Sequence, residues 1–223
     1  KNDIIVLQFP LLWKSLKKQI RMRFLKKKNF KAYLLIHDIE SLRKNKIRTF
    51  SDFKHSIIHF LQNKTVLDRV DGIIAHNNKM KLELVKMGIS AEKIVTLEIF
   101  DYLIPNFNED KNYDKDKILL AGNFDIRKTR YARNLPEMPE FEIYGINFES
   151  DNLPNNVHYK GAFSPEELPN HFQGGFGLVW DGDSSDTCSG MYGEYLKINN
   201  PHKASLYLAS NFPIIVWSQS ALA

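Results

Sequence analysis

The chain has 223 residues, 43% of them hydrophobic and 26% charged, the balance of an ordinary globular protein with room for one large or two modest domains. Its single cysteine, Cys188, excludes an intrachain disulfide and a cysteine-rich metal site, and no apolar run approaches the ~20 residues of a membrane-spanning helix. A net charge of +5 without zinc-ligand spacing, a helix-turn-helix cue or an aromatic ribonucleoprotein motif argues against a nucleic-acid partner, and the start KNDIIVLQF lacks the layout of a signal peptide, so a cytoplasmic protein is expected.

In chain order, Asp3–Phe9 (DIIVLQF) reads as a buried strand. Residues 13–28 (WKSLKKQIRMRFLKKK) then place Trp13, Leu16, Ile20 and Phe24 at helical spacing among eight lysines and arginines. Such a basic helix packs its apolar stripe on a core, or lays it on an anionic membrane surface, so a peripheral contact at the inner face of a membrane is a second expectation. A strand over residues 32–36 ends in His37 and Asp38, Ser51 caps a helix running to about Arg69, residues 72–75 form a third strand, and Asn78 starts a helix that Gly88 closes. Residues 94–99 make a fourth strand. This β-α alternation predicts a parallel sheet with helices on both faces.

Residues 101–116, with PNFNEDKNYDKD, carry charge and asparagine without an apolar period and are predicted to be a linker. A second series follows. KILLA (117–121) is a strand ended by Gly122 and Asn123, a basic segment covers 127–133, and strands are predicted at 141–144 and 157–159. Ser164-Pro165-Glu166-Glu167 has the N-cap, proline and glutamate of a capping box and predicts a helix to about Gln173. The expected architecture is α/β, with two Rossmann-like domains, 1–100 and 117–223, facing each other across a cleft. AGNFDIRKT offers one glycine after its strand where a dinucleotide fingerprint needs several, which lowers an oxidoreductase reading. The chain starts without Met and reads as part of a longer polypeptide.

The last fifty or so residues carry the strongest chemical signal. Apolar runs at 176–180 and 212–217 flank the helical HKASLYLAS, and Asn200-Pro201 predicts that this helix begins within NNPHK, with Lys203 in its first turn. A cation there opposes the positive helix end unless an anion covers the free amides, so Lys203 either turns to solvent or helps to hold a phosphate. The loop 181–199 before it is overlong, rich in Gly, Ser and Asp, and leaves the carboxyl end of a strand, where open parallel sheets bind ligands. Asp181, Asp183 and Asp186 in that loop could hold a hard cation, although solvated loop carboxylates are the commoner case; no metal ligand is assigned.

QGGFGLVWDG, NNPHKASLYLA and FPIIVW, with PEELP and LLIHDIESLR upstream, resemble the small bacterial GT-B glycosyltransferases. More narrowly, they are similar to those that extend the glycan of serine-rich adhesins and to the related β-1,6-galactofuranosyltransferases of surface polysaccharides. The resemblance implies a UDP-sugar donor bound by the carboxyl-terminal half, a glycan or glycoprotein acceptor at the amino-terminal half, no further cofactor, and self-association into a homo-oligomer. It places Lys203 and Arg127 on the diphosphate, with Lys128 one residue off the Arg127 register. It puts Phe163 against the uracil, and Asn199, Asn200 and His202 flank the phosphate site by their adjacency to Lys203. Relative to the family pattern, an initial strand-helix segment and everything after Ala223 are missing.

For proton removal from the acceptor hydroxyl, Asp38 is the first candidate and His37 the second, because both follow a strand at its carboxyl end. Two other functions stay open on the residues alone: an epimerase of UDP-sugars on the same architecture, and an inactive partner protein of a glycosylation complex.

Overall fold

The computed structural model describes residues 3–10, 30–43, 64–105, 107–108 and 113–223. The basic helix expected at 13–28 and most of the helix expected after Ser51 lie outside the described residues; residues 64–67 are helical. The chain divides into two compact units, Lys1–Glu98 and Ile99–Ala223.

In the first unit, β1 (Asp3–Phe9), β2 (Phe30–Ile36), β3 (Gly72–Ala75) and β4 (Ile94–Thr96) form a four-stranded parallel sheet in the order β1-β2-β3-β4. The helix α1 (Glu40–Arg43) follows β2, and α2 (Asn78–Lys86) follows β3. Leu34, Ile36, Ile39, Leu67, Ile73, Met80 and Leu84 are fully buried and make the core. Asn78 starts α2, as expected, and Asn77 caps it: the Asn77 side-chain oxygen accepts the Met80 N–H at 2.9 Å. As expected, Gly88 closes the helix, with a φ of 87° that a side chain would strain. The fourth strand is shorter than predicted, because Glu98 turns into the left-handed region (φ 69°) and its N–H bonds the His76 carbonyl outside the ladder.

The second unit holds β5 (Tyr113–Asn123), α3 (Ile126–Thr129), β6 (Glu140–Ile146), β7 (Val157–Gly161), α4 (Leu168–His171), β8 (Gly174–Val179), α5 (Gly190–Tyr195), α6 (His202–Ala209) and β9 (Ile214–Val216). Its five strands are all parallel in the order β7-β6-β5-β8-β9. Side-chain alternation divides the core. Leu119, Ala121, Tyr144, Phe172, Val179 and Tyr207 pack on one face, and Leu120, Phe124, Tyr131, Phe141, Ile143 and Val157 on the other. Gly177 is where α6 comes closest to the sheet: a Cβ there would sit 2.1 Å from Cγ of Tyr207, whose hydroxyl accepts the Ala121 N–H at 2.7 Å.

Three sequence expectations change here. Residues 113–116 belong to β5, not to the linker, and Tyr102 already packs on this unit: its hydroxyl donates to the Pro165 carbonyl at 2.8 Å. The capping box forms, with Ser164 Oγ accepting the Glu167 N–H at 3.3 Å, but residues 165–167 are a turn and only Leu168–His171 is helical. Pro169 explains the shortening: it has no N–H to give the Pro165 carbonyl four residues back, and Tyr102 takes that acceptor. Finally, the long loop after β8 contains α5, a helix with no apolar period to announce it.

Candidate functional site

The order β7-β6-β5-β8-β9 has one topological switch point. From β5 the chain steps outward to β6 and β7, then returns to the other side of β5 as β8. The crevice beyond the carboxyl ends of β5 and β8 is therefore where an open parallel sheet binds its ligand. The loops leaving these two strands, with the start of α6, supply Arg127, Lys128, Asp181 and Lys203.

Lys203 lies in the first turn of α6, as the sequence predicts, but the helix is capped by Pro201 in an extended conformation and Asn200 is buried just before it. Its side chain does not run into solvent. Nζ donates to the Trp180 carbonyl at 2.7 Å and to Asp181 Oδ1 at 2.8 Å, and only 12% of the Lys203 side chain and 6% of that of Asp181 is exposed. Lys128 of α3 approaches the other carboxylate oxygen at 3.7 Å. Burial lowers the pKa of Lys203, and the Asp181 carboxylate is the main force opposing that shift. Under this cluster, burial pushes the Cys188 thiol up to about 12, so it stays a protonated packing group.

The loop that carries Asp181 is held by its own backbone. The Gly182 N–H donates to the Lys128 carbonyl at 2.7 Å, and the Tyr131 N–H donates to the Gly182 carbonyl at 3.2 Å. Gly182 has a φ of 127°, and a Cβ there would meet the Ser189 carbonyl oxygen at 2.4 Å, so only glycine lets the loop fold back this tightly. Trp180 and Trp217 pack with Cys188 and Leu196 under the rest of it.

Arg127 sits on the exposed rim after β5. Its guanidinium is gripped by both oxygens of Asp125, at 3.0 Å and 3.2 Å from Nε, while the Arg127 N–H donates to the same carboxylate. This grip holds the Asp125 carboxyl at about 2. Asn123 Oδ1 accepts the Asp125 N–H and an N–H of the Asn147 side chain, so the rim is a continuous polar chain across the ends of β5 and β6. Gly145 makes that closeness feasible, since a Cβ there would stand 1.8 Å from the Gly122 carbonyl oxygen.

Phe163, beyond β7, lies flat on His171 with ring centroids 3.8 Å apart and 18° between planes, and is half-buried. His202 packs its ring against Phe100 at 4.2 Å. Asn199 Oδ1 is buried and accepts no hydrogen bond from a described residue. In the first unit, Asp38 Oδ2 pairs with Arg43 of α1 at 2.5 Å, and burial lowers the pKa of the adjacent His37. The structure thus brings Lys203, Lys128, Arg127 and the start of α6 to one switch point. Asp38 and His37 belong to the other unit.

Sequence reasoning treated Asp181 as a loop carboxylate and did not see it as the partner of Lys203, nor Asp125 as the partner of Arg127. The WDG motif was the available signal for the first, and the two-residue spacing of an Asx turn for the second. Among the described residues no three His, Cys, Asp or Glu side chains cluster to hold a metal ion. No described helix is long and apolar enough to cross a membrane.

Residues 1–99 match the glucosyltransferase 3-like N-terminal domain, and residues 118–223 match the glucosyltransferase 3-like C-terminal domain. The chain belongs to the glucosyltransferase 3-like family. The β-1,6-galactofuranosyltransferase WbbI of Escherichia coli (strain K12) is 35% identical over 232 aligned positions, covering 100% of this chain and 62% of the relative. Glucosyltransferase 3 of Streptococcus parasanguinis is 27% identical, covering 96% of this chain and 59% of the relative. The chain therefore spans about three fifths of the length of these curated relatives.

Among solved structures, a sucrose-phosphate synthase from Thermosynechococcus elongatus superposes with a TM-score of 0.56 at 14% identity, covering 96% of this chain and 55% of that one. The lipopolysaccharide outer core galactosyltransferase WaaB superposes with a TM-score of 0.54 at 14% identity, covering 96% and 56%. At such identity the likeness speaks to fold, and the fold of this family member is GT-B with two parallel Rossmann-like sheets.

Proposed function

We propose that this chain carries out glycosyl transfer, moving a hexosyl unit from a UDP-sugar to a glycan or glycoprotein acceptor. The observation that supports this most is the gathering of Lys203, Lys128 and Arg127 with the amino end of α6 at the switch point of the second sheet. Cleavage of the bond between sugar and diphosphate leaves negative charge on the phosphates, and fixed cations with a helix amino end oppose that charge without rearrangement. Lys203 and Arg127 would hold the diphosphate, Asn199, Asn200 and His202 would flank it, and Phe163 would stack on the uracil. The hexosyl unit is what glucosyl and galactofuranosyl transfer, the activities named for the two relatives, have in common.

The acceptor hydroxyl must lose a proton as it attacks the anomeric carbon. Asp38 is the first choice for that base. His37, kept neutral at pH 7 by burial, is the second. The three cations could meet the leaving-group charge unaided, so transfer is proposed to need no divalent metal. Calorimetric titration with UDP, followed by donor hydrolysis across UDP-glucose, UDP-galactose, UDP-galactofuranose and UDP-GlcNAc with and without EDTA, tests the reading. Micromolar binding and EDTA-resistant turnover of one donor are expected; no heat with UDP would instead favour an inactive partner protein.

A further inference from the structure

Two carboxylates are buried among the described residues, Glu142 and Asp181, and of these Asp181 lies at the switch point. A carboxylate repels the anion that this site is proposed to bind, so its place there needs a reason. Its two oxygens serve two elements, Oδ1 taking Lys203 of α6 at 2.8 Å and Oδ2 facing Lys128 of α3 at 3.7 Å. The backbone links of Gly182 to Lys128 and Tyr131 prevent the carboxylate from drifting without moving α3. An ammonium group has three donors, and Lys203 spends two, on Trp180 and Asp181.

Resting on the donor-site reading above, we propose that Asp181 is a positioning residue for the diphosphate: it ties Lys203 and Lys128 into one cationic pair and leaves one Lys203 N–H for a phosphate oxygen. The charges balance in favour of the anion, since two cations outweigh one carboxylate. Asp181 also sets the proton on Lys203. The titratable groups around Lys203 are Asp181 and Cys188 from the loop after β8 and Lys128 from α3; the phenols of Tyr131 and Tyr207, kept neutral by burial, face Asp181. Remove the carboxylate charge, and burial together with Lys128 drives Lys203 to release its proton at a lower pH.

The test is UDP titration calorimetry from about pH 6 to about pH 9 on the wild type, Asp181→Asn and Asp181→Glu, with the Lys203 Cε resonance followed by NMR over the same range. Relative to the wild type, Asp181→Asn should bind UDP within about threefold at the acid end and lose at least about tenfold by the alkaline end, as Lys203 deprotonates. Its Lys203 resonance should titrate at lower pH, and Asp181→Glu should restore the wild-type profile. An Asp181→Asn profile parallel to that of the wild type, with an unmoved Lys203 titration, would overturn the tether while leaving the donor site standing. No UDP binding by the wild type would overturn the donor-site reading itself.

Discussion

At the scale of single residues, the cations of the candidate site are held in two different ways, and substitutions should separate them. Lys203 belongs to a buried pair, so Lys203→Met leaves Asp181 without its 2.8 Å partner and should cost about 3 kcal/mol of stability as well as UDP affinity, read by urea unfolding and calorimetry. Arg127 stands 75% exposed on the rim, so Arg127→Ala should weaken UDP binding at a smaller cost in stability than Lys203→Met. The same variant should let the Asp125 carboxyl return from about 2 toward its ordinary 3.8, measured by NMR titration. His37 sets a different pH window. Its folded pKa lies below 6.5, so below pH 6.5 the unfolded chain takes up a proton that the folded chain resists. Its contribution is undiminished above pH 6.5 and turns destabilising as pH falls below it. His37→Asn should flatten that acid limb of the stability profile.

At the scale of elements, short helices here depend on their ends and on close packing more than on length. Asn77 is buried and its side chain caps α2, so Asn77→Ala should lower stability by about 1 kcal/mol, seen as a shift of the urea midpoint without a change of slope. The helix α6 reaches its place through a glycine. Gly177→Ala would drive a methyl group into the Tyr207 ring and push α6, with Lys203 in its first turn, away from β8. A loss of about 1–3 kcal/mol is expected, together with weaker UDP binding. Here a core substitution reports on the site, because one helix both covers the sheet and presents the cation.

At the scale of the whole molecule, the two units each own a sheet and a core, and the chain divides at Glu98 and Ile99. Phe100, Tyr102 and Asn108 are held within the second unit, against His202, Pro165 and Asn170 in turn. A fragment of residues 99–223 should therefore fold cooperatively and bind UDP with the affinity of the full chain, whereas a fragment cut at 117 should be less stable. Circular dichroism melts and UDP titration of the two fragments check this.

The strands were legible in the sequence because a strand buried in a parallel sheet is a short, largely apolar run, and all nine of the described strands could be seen without their partners. Asn200-Pro201 likewise marked where α6 begins, although Pro201 and not Asn200 is its cap, and that position alone puts Lys203 in the first turn. What only the tertiary structure decided is which charges meet. Asp181 and Lys203 are 22 residues apart, joined by the return of α6 to the end of β8, and although Trp180 and Gly182 set Asp181 apart from Asp183 and Asp186, nothing local names Lys203 as its partner. Residue type and spacing determine what a segment can form; the energy of a buried carboxylate depends on the cations that the fold brings to it.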